Sequence, residues 1–126
     1  MSLEILPIHW AAKNGHTEIV KILAPLTDDP NAPNKDGNTP IHYAAYYGHT
    51  EIIKILAPLT DNPNAPYKDG NTPIHYAARN GHTEIVKILA PLTANPNVPS
   101  NDGVTPSSIA KNDEICEILY PSTLKT

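Results

Sequence analysis

The chain has 126 residues, 40% of them hydrophobic, and a formal charge of −4 from nine Lys and Arg against 13 Asp and Glu. This length allows one domain around one continuous core. The acidic balance and the lack of a Lys/Arg run exclude the basic footprint of a nucleic-acid binder, and the apolar stretches, all broken by His, Glu, Lys or Pro, exclude a membrane-spanning helix and a signal-peptide core.

Self-comparison organises the rest. Shifted by 33 positions, residues 35–66 and 68–99 agree at 27 of 32 places, and residues 7–31 and 40–64 at 20 of 25. The chain divides into repeats at about 3–33, 34–66 and 67–99, a shortened C-terminal capping repeat at about 100–120 and a tail at 121–126.

The first copy has Glu4-Ile5-Leu6 where later copies have Gly-Asn-Thr, so it lacks their turn. Its Leu3, Ile5, Leu6 and Ile8 suggest an array cut from a longer one, or a first repeat with an open apolar face. Such a face predicts weak self-association through the N-terminal repeat.

The second copy shows the unit in full. Thr39 suits an N-cap and Pro40 the first helical position, where a missing N–H costs nothing. Ile41, Ala44 and Ala45 then make a narrow apolar stripe, and Gly48 ends the helix. In the following helix Ile52, Ile53, Ile55, Leu56 and Leu59 make a broader stripe, which predicts that the second helix is the more buried. Glu51 complements the helix dipole, and Pro58 should end the helix early. Residues 61–66, rich in Asp, Asn and Pro, predict an extended loop poor in hydrogen bonds, leading to the turn Lys68-Asp69-Gly70.

The third copy repeats this frame. In the fourth, Asp102-Gly103 and Thr105-Pro106 stay in phase, three residues are lost where the others read Gly-His-Thr, and Asp113, Glu114 and Glu117 mark a polar end cap. One helix–turn–helix unit cannot bury its apolar face alone, so the expected fold is an all-α solenoid of stacked units joined by long loops and turns.

Thr39-Pro40-Ile41-His42, Ala44-Ala45 and Gly48-His49 recur at Thr72–His75, Ala77-Ala78 and Gly81-His82. On these motifs, over about 115 residues, the chain resembles the ankyrin repeat family. The resemblance implies helix pairs, a hydrogen bond of His42 near Thr39, a loop-anchoring role for His49, and protein binding on a concave face. The departure is in the inter-repeat loop. The family's Gly-Ala-Asp-Val-Asn turn has Thr27, Thr60 or Thr93 at its Gly and Pro30, Pro63 or Pro96 at its Val.

The two positions before the helix-ending glycine read Lys13-Asn14, Tyr46-Tyr47 and Arg79-Asn80. They are among only five differences between the middle copies, and a constant frame around free positions is what an interaction scaffold shows. The resemblance puts them beside turn tips Lys35, Asp36, Asn38, Lys68, Asp69, Asn71, Asn101, Asp102 and Val104, with Tyr and Arg as favoured binding anchors. Replacing Tyr46 and Tyr47 by alanine should weaken binding while changing stability by no more than roughly 0.5 kcal/mol. Trp10, Tyr43, Tyr76 and Ile109 form a second column, read either as a ladder of rings along the groove or as packing between helices.

Six histidines recur at two repeat positions, too far apart between repeats to share a metal. Asp-Gly-Asn-Thr-Pro reads as a turn and helix cap, not a phosphate loop. Cys116, between Ile115 and Ile118, reads as a buried, inert thiol. As the single cysteine it allows no internal disulfide and predicts a reducing, intracellular, cytoplasmic setting. The expected function is binding of another protein, with no enzyme activity, cofactor, metal or nucleic acid and no membrane insertion. The second reading is a structural segment of a larger ankyrin-containing protein, or an engineered scaffold without a partner.

Overall fold

The computed structural model describes residues 7–121. Seven α-helices follow in order: α1 Pro7–Asn14, α2 Thr17–Leu23, α3 Pro40–Tyr47, α4 Thr50–Leu56, α5 Pro73–Asn80, α6 Thr83–Leu89 and α7 Asp113–Leu119. There is no strand among the described residues. Helices of seven or eight residues are too short to persist alone, so their stability comes from packing. α1, α3 and α5 stack side by side in an inner row, and α2, α4, α6 and α7 form an outer row against them. This is the expected solenoid.

The helix ends follow the local sequence. The Thr39 hydroxyl accepts the His42 N–H at 3.1 Å, and the His42 Nδ1 accepts the Thr39 N–H at 3.2 Å. Thr72 and His75 repeat this reciprocal cap. It fulfils the bond that the resemblance implies, with histidine in the place a Glu or Gln takes in the usual capping box. As expected, Pro58 stops α4 at Leu56, and Ala57–Leu59 tightens into a 3-10 turn.

Three expectations change. The first helix of each pair, not the second, is the more buried. α3 buries Pro40, Ile41, His42, Ala44 and Ala45, whereas α4 buries Ile52, Ile53 and Leu56. The reason is position: α3 is flanked by α1 and α5, and its alanines let those neighbours approach closely. The proline-rich loop is also not poor in hydrogen bonds. Asn31, Asn64 and Asn97 turn back, and their Oδ1 atoms accept the N–H groups of Ile41, Ile74 and Ser107 at 2.9–3.0 Å. Each loop therefore caps the next repeat's first turn, satisfying an amide that the threonine cap does not reach. Finally, Cys116 is only partly buried, with its Sγ 3.5 Å from the Ser107 carbonyl.

The two ends differ. In the last copy the missing residues shrink the first helix to the 3-10 turn Pro106–Ile109. α7 buries Ile115 and Leu119 and exposes Asp113, Glu114 and Glu117, with Glu114 paired to Lys87 at 2.9 Å. Of the apolar set expected to be open at the other end, Leu3, Ile5 and Leu6 lie outside the described residues, and Ile8 is buried. Among the described residues of the first repeat's α-helices, exposed isoleucines lie on α2. Ile19 and Ile22 are 37% and 63% exposed, while Ile52, the counterpart of Ile19, is fully buried. Ile52 is covered because α4 packs on α2.

Candidate partner-binding face

Adjacent repeats interlock at the ends of the inner helices. Gly15 and Gly48 have φ of +76° and +80°, a left-handed cap that glycine adopts freely. Over them lie the histidines of the following repeat. The His49 Nε2 donates to the Lys13 carbonyl and the His82 Nε2 to the Tyr46 carbonyl, both at 3.1 Å. A Cβ on Gly48 would meet the His82 ring at 2.7 Å. His49 thus anchors its loop, as the resemblance implies, by gripping the preceding helix. Where the last copy lacks this histidine, the Lys111 side chain lies over Gly81 and the Lys111 backbone N–H donates to the Ala78 carbonyl.

The buried histidines stitch the next layer. The His75 Nε2 donates to the Val104 carbonyl at 2.8 Å. The Asn71 carbonyl holds the same place for His42 and is near enough to act on its charge, but outside hydrogen-bond geometry, so His42 Nε2 has no partner. Burial pushes His42 down to about 4, against the opposing effects of the Asn71 carbonyl and the Asp69 charge. Burial lowers His9 and His75 as well. At neutral pH these rings are uncharged. The described residues contain no cluster of three or more His, Cys, Asp or Glu arranged to hold a metal.

The candidate binding residues do not all remain available. Asn80 donates to the Tyr46 carbonyl at 2.8 Å, and Asn101 donates to the Lys68 carbonyl at 3.0 Å. Asn14 bonds to the Trp10 carbonyl of its own helix. Asp69 accepts the Asn71 N–H, which helps fix the third tip. In the second tip that work falls to Asn34, whose Oδ1 accepts the Asp36 and Asn38 N–H groups and whose amide donates to the Tyr43 hydroxyl. Lys13, Lys35, Asp36, Lys68, Asp69, Arg79 and Asp102 are exposed.

What the fold brings together is aromatic. Tyr46 and Tyr47, 44% and 47% exposed, pack with ring centroids 4.8 Å apart, and Tyr46 meets Tyr76 at 5.7 Å. With Asn38, His42 and Tyr43 they line a depression of about 220 Å³. Trp10, Tyr43 and Tyr76 do not touch as a continuous ladder. Tyr43 packs edge-on against His9 and Tyr76 against His42, while Trp10 lies on His16. Tyr43 and Tyr76 thus pack across repeats, offset by one residue onto the histidines, while also lining the depression. A larger hollow of about 430 Å³ lies between the proline-rich loops, lined by residues such as Pro33, Leu59 and Pro66, with no aromatic ring.

This stack of capped helix pairs, locked by histidines at the repeat period, agrees with comparison to known families. A family model described as ankyrin repeats, in three copies, matches residues 3–67 and 59–125. The chain belongs to the ankyrin repeat family. Ankyrin repeats are generally protein–protein interaction modules and typically not enzymes. A comparison of this ankyrin chain with curated proteins finds no match. Among the described residues no helix is long and apolar enough to cross a membrane.

Proposed function

We propose that this chain is a protein-binding module that engages its partner through the concave face of the inner helices and turn tips, centred on Tyr46 and Tyr47. One observation carries the reading: the adjacent pair at which the middle copies diverge most is also where two large aromatic side chains stand nearly half exposed. Such rings bring large contact area with little conformational freedom to lose. Arg79, exposed at the equivalent position of the next repeat, extends the surface. In this reading Asn80 and Asn101 hold the face in shape instead of meeting the partner. The setting is intracellular, and the open α2 surface gives weak self-association.

A three-way capture experiment tests it. Wild-type protein, a Tyr46→Ala/Tyr47→Ala variant and an outer-row Glu51→Ala/Lys54→Ala variant are each used as bait. A partner retained by the wild type and the outer-row variant but lost by the tyrosine variant supports the concave face. Equal retention by all three contradicts it. Unfolding curves on all three guard against a folding defect. The ring contacts of Tyr46 with Tyr76 and Tyr47 with His49 raise the expected stability cost of the tyrosine variant to about 1 kcal/mol.

A further inference from the structure

The depression at the Tyr46–Tyr47 junction has a chemistry narrower than a general aromatic patch. Its rings meet at 67° and 68°, as a corner and not as a stack. In an edge-to-face pair each ring keeps at least one face clear of its partner, and the face is the electron-rich part. Below them His42 is buried and uncharged at neutral pH. The acidic tip residue Asp69 acts electrostatically on His42 and Tyr76, two of the residues that line the depression. With burial as the larger cause, its charge helps push the Tyr76 hydroxyl up to about 12, and it outweighs the opposing effect of Arg79. The chain as a whole is acidic.

From these clear tyrosine faces, the buried histidine floor and the nearby acidic tip, we propose that the depression receives a lysine or arginine side chain of a partner peptide. The inference rests on the protein-binding reading and names the partner's chemistry. The aliphatic stem lies along Tyr43 and Tyr46, and the cation faces the rings and the carboxylate. The protein already makes this contact internally: Lys68 Nζ lies 5.6 Å from the Tyr67 ring centroid. A neutral apolar side chain could enter the same hollow but would gain nothing from Asp69 or from the ring quadrupoles. An acidic one would meet repulsion from both.

The test uses small probes first. The tyrosine ring resonances are followed by NMR during titration with N-acetyl-arginine amide, N-acetyl-lysine amide and the neutral N-acetyl-norleucine amide. Both cations should give saturable shifts with affinity at least about fivefold above norleucine, the size of a modest cation–π contribution. Tyr46→Phe keeps the preference, Tyr46→Leu abolishes it, and Asp69→Asn reduces it. Equal binding of norleucine, no binding of the cations, or an unchanged preference in Tyr46→Leu overturns the proposal. A second arm selects random peptides on the wild-type protein after depletion on a folded Tyr46→Leu/Tyr47→Leu variant. Enrichment of Lys and Arg supports the proposal. Tyrosine-dependent binders without that enrichment overturn the cation site and leave the binding face standing, and an absence of tyrosine-dependent binders removes both.

Discussion

Replacing Gly48 by alanine probes the interlock between repeats. The backbone there has φ of +80°, and forcing a residue with a Cβ into that region costs about 1 kcal/mol. The added methyl would also lie 2.7 Å from His82 Cε1 and 2.9 Å from Nδ1, so the ring must move. Moving it breaks the 3.1 Å bond from its Nε2 to the Tyr46 carbonyl, worth about 0.5–1.5 kcal/mol. The expected destabilisation is about 1.5–2.5 kcal/mol, the sum of the two effects. Gly37→Ala supplies the control. Its φ is +89°, but its nearest neighbours, on the Tyr67 ring, are 3.6 Å away, so only the backbone cost of about 1 kcal/mol applies. Urea unfolding of both variants measures the difference. In a His82→Ala background the extra cost of Gly48→Ala should vanish, leaving the backbone share. Equal destabilisation by the two glycine variants, or no change on removing His82, would refute the interlock.

Asn64→Ala should cost about 1–3 kcal/mol in urea unfolding, because the buried Ile74 N–H loses its acceptor. A loss within error would mean that the loop does not cap the next helix. Stability should also depend on pH through His42. Its folded pKa, about 4, lies below the unfolded value of 6.5, so its contribution is complete above pH 6.5 and is lost as pH falls towards 4. That loss is on the order of 3 kcal/mol. Unfolding midpoints across this range should fall for the wild type and fall less steeply for His42→Gln, since His9 and His75 still contribute, and an NMR titration that finds His42 protonated at pH 6 would contradict the assignment. At the other end, Ile22→Lys should reduce concentration-dependent association in sedimentation equilibrium, since it charges the 63% exposed isoleucine of α2. Unchanged association would place the contact elsewhere.

The helix pairs were legible because their signals are local. Thr-Pro, the alanine pair, the closing glycine and Pro58 each act within one turn, and the structure puts caps and breaks where those residues stand. What escaped depends on neighbouring repeats. The Asn64 bond spans ten residues, and its signal was the recurrence of an asparagine in the same loop place at 31, 64 and 97. Relative burial was misjudged because stripe width counts apolar residues and not how many neighbours cover them. Ile19 and Ile52 differ for the same reason: they hold equivalent positions in successive repeats, and only Ile52 has the outer helix of a preceding repeat packed upon it among the described residues. At the candidate face, divergence between the copies pointed to Tyr46 and Tyr47. It did not show that Asn80 and Asn101 spend their amides on the preceding repeat, nor that Tyr43 and Tyr76 turn towards histidines.

In the proposed function, partners dock on the inner row. This docking is tested most directly by recording amide chemical shifts of the labelled chain as a captured partner is titrated in. Docking on the inner row puts the largest changes at the ends of α3 and α5 and in the tips at 34–38 and 67–71. Changes confined to α2, α4 and α6 would contradict it.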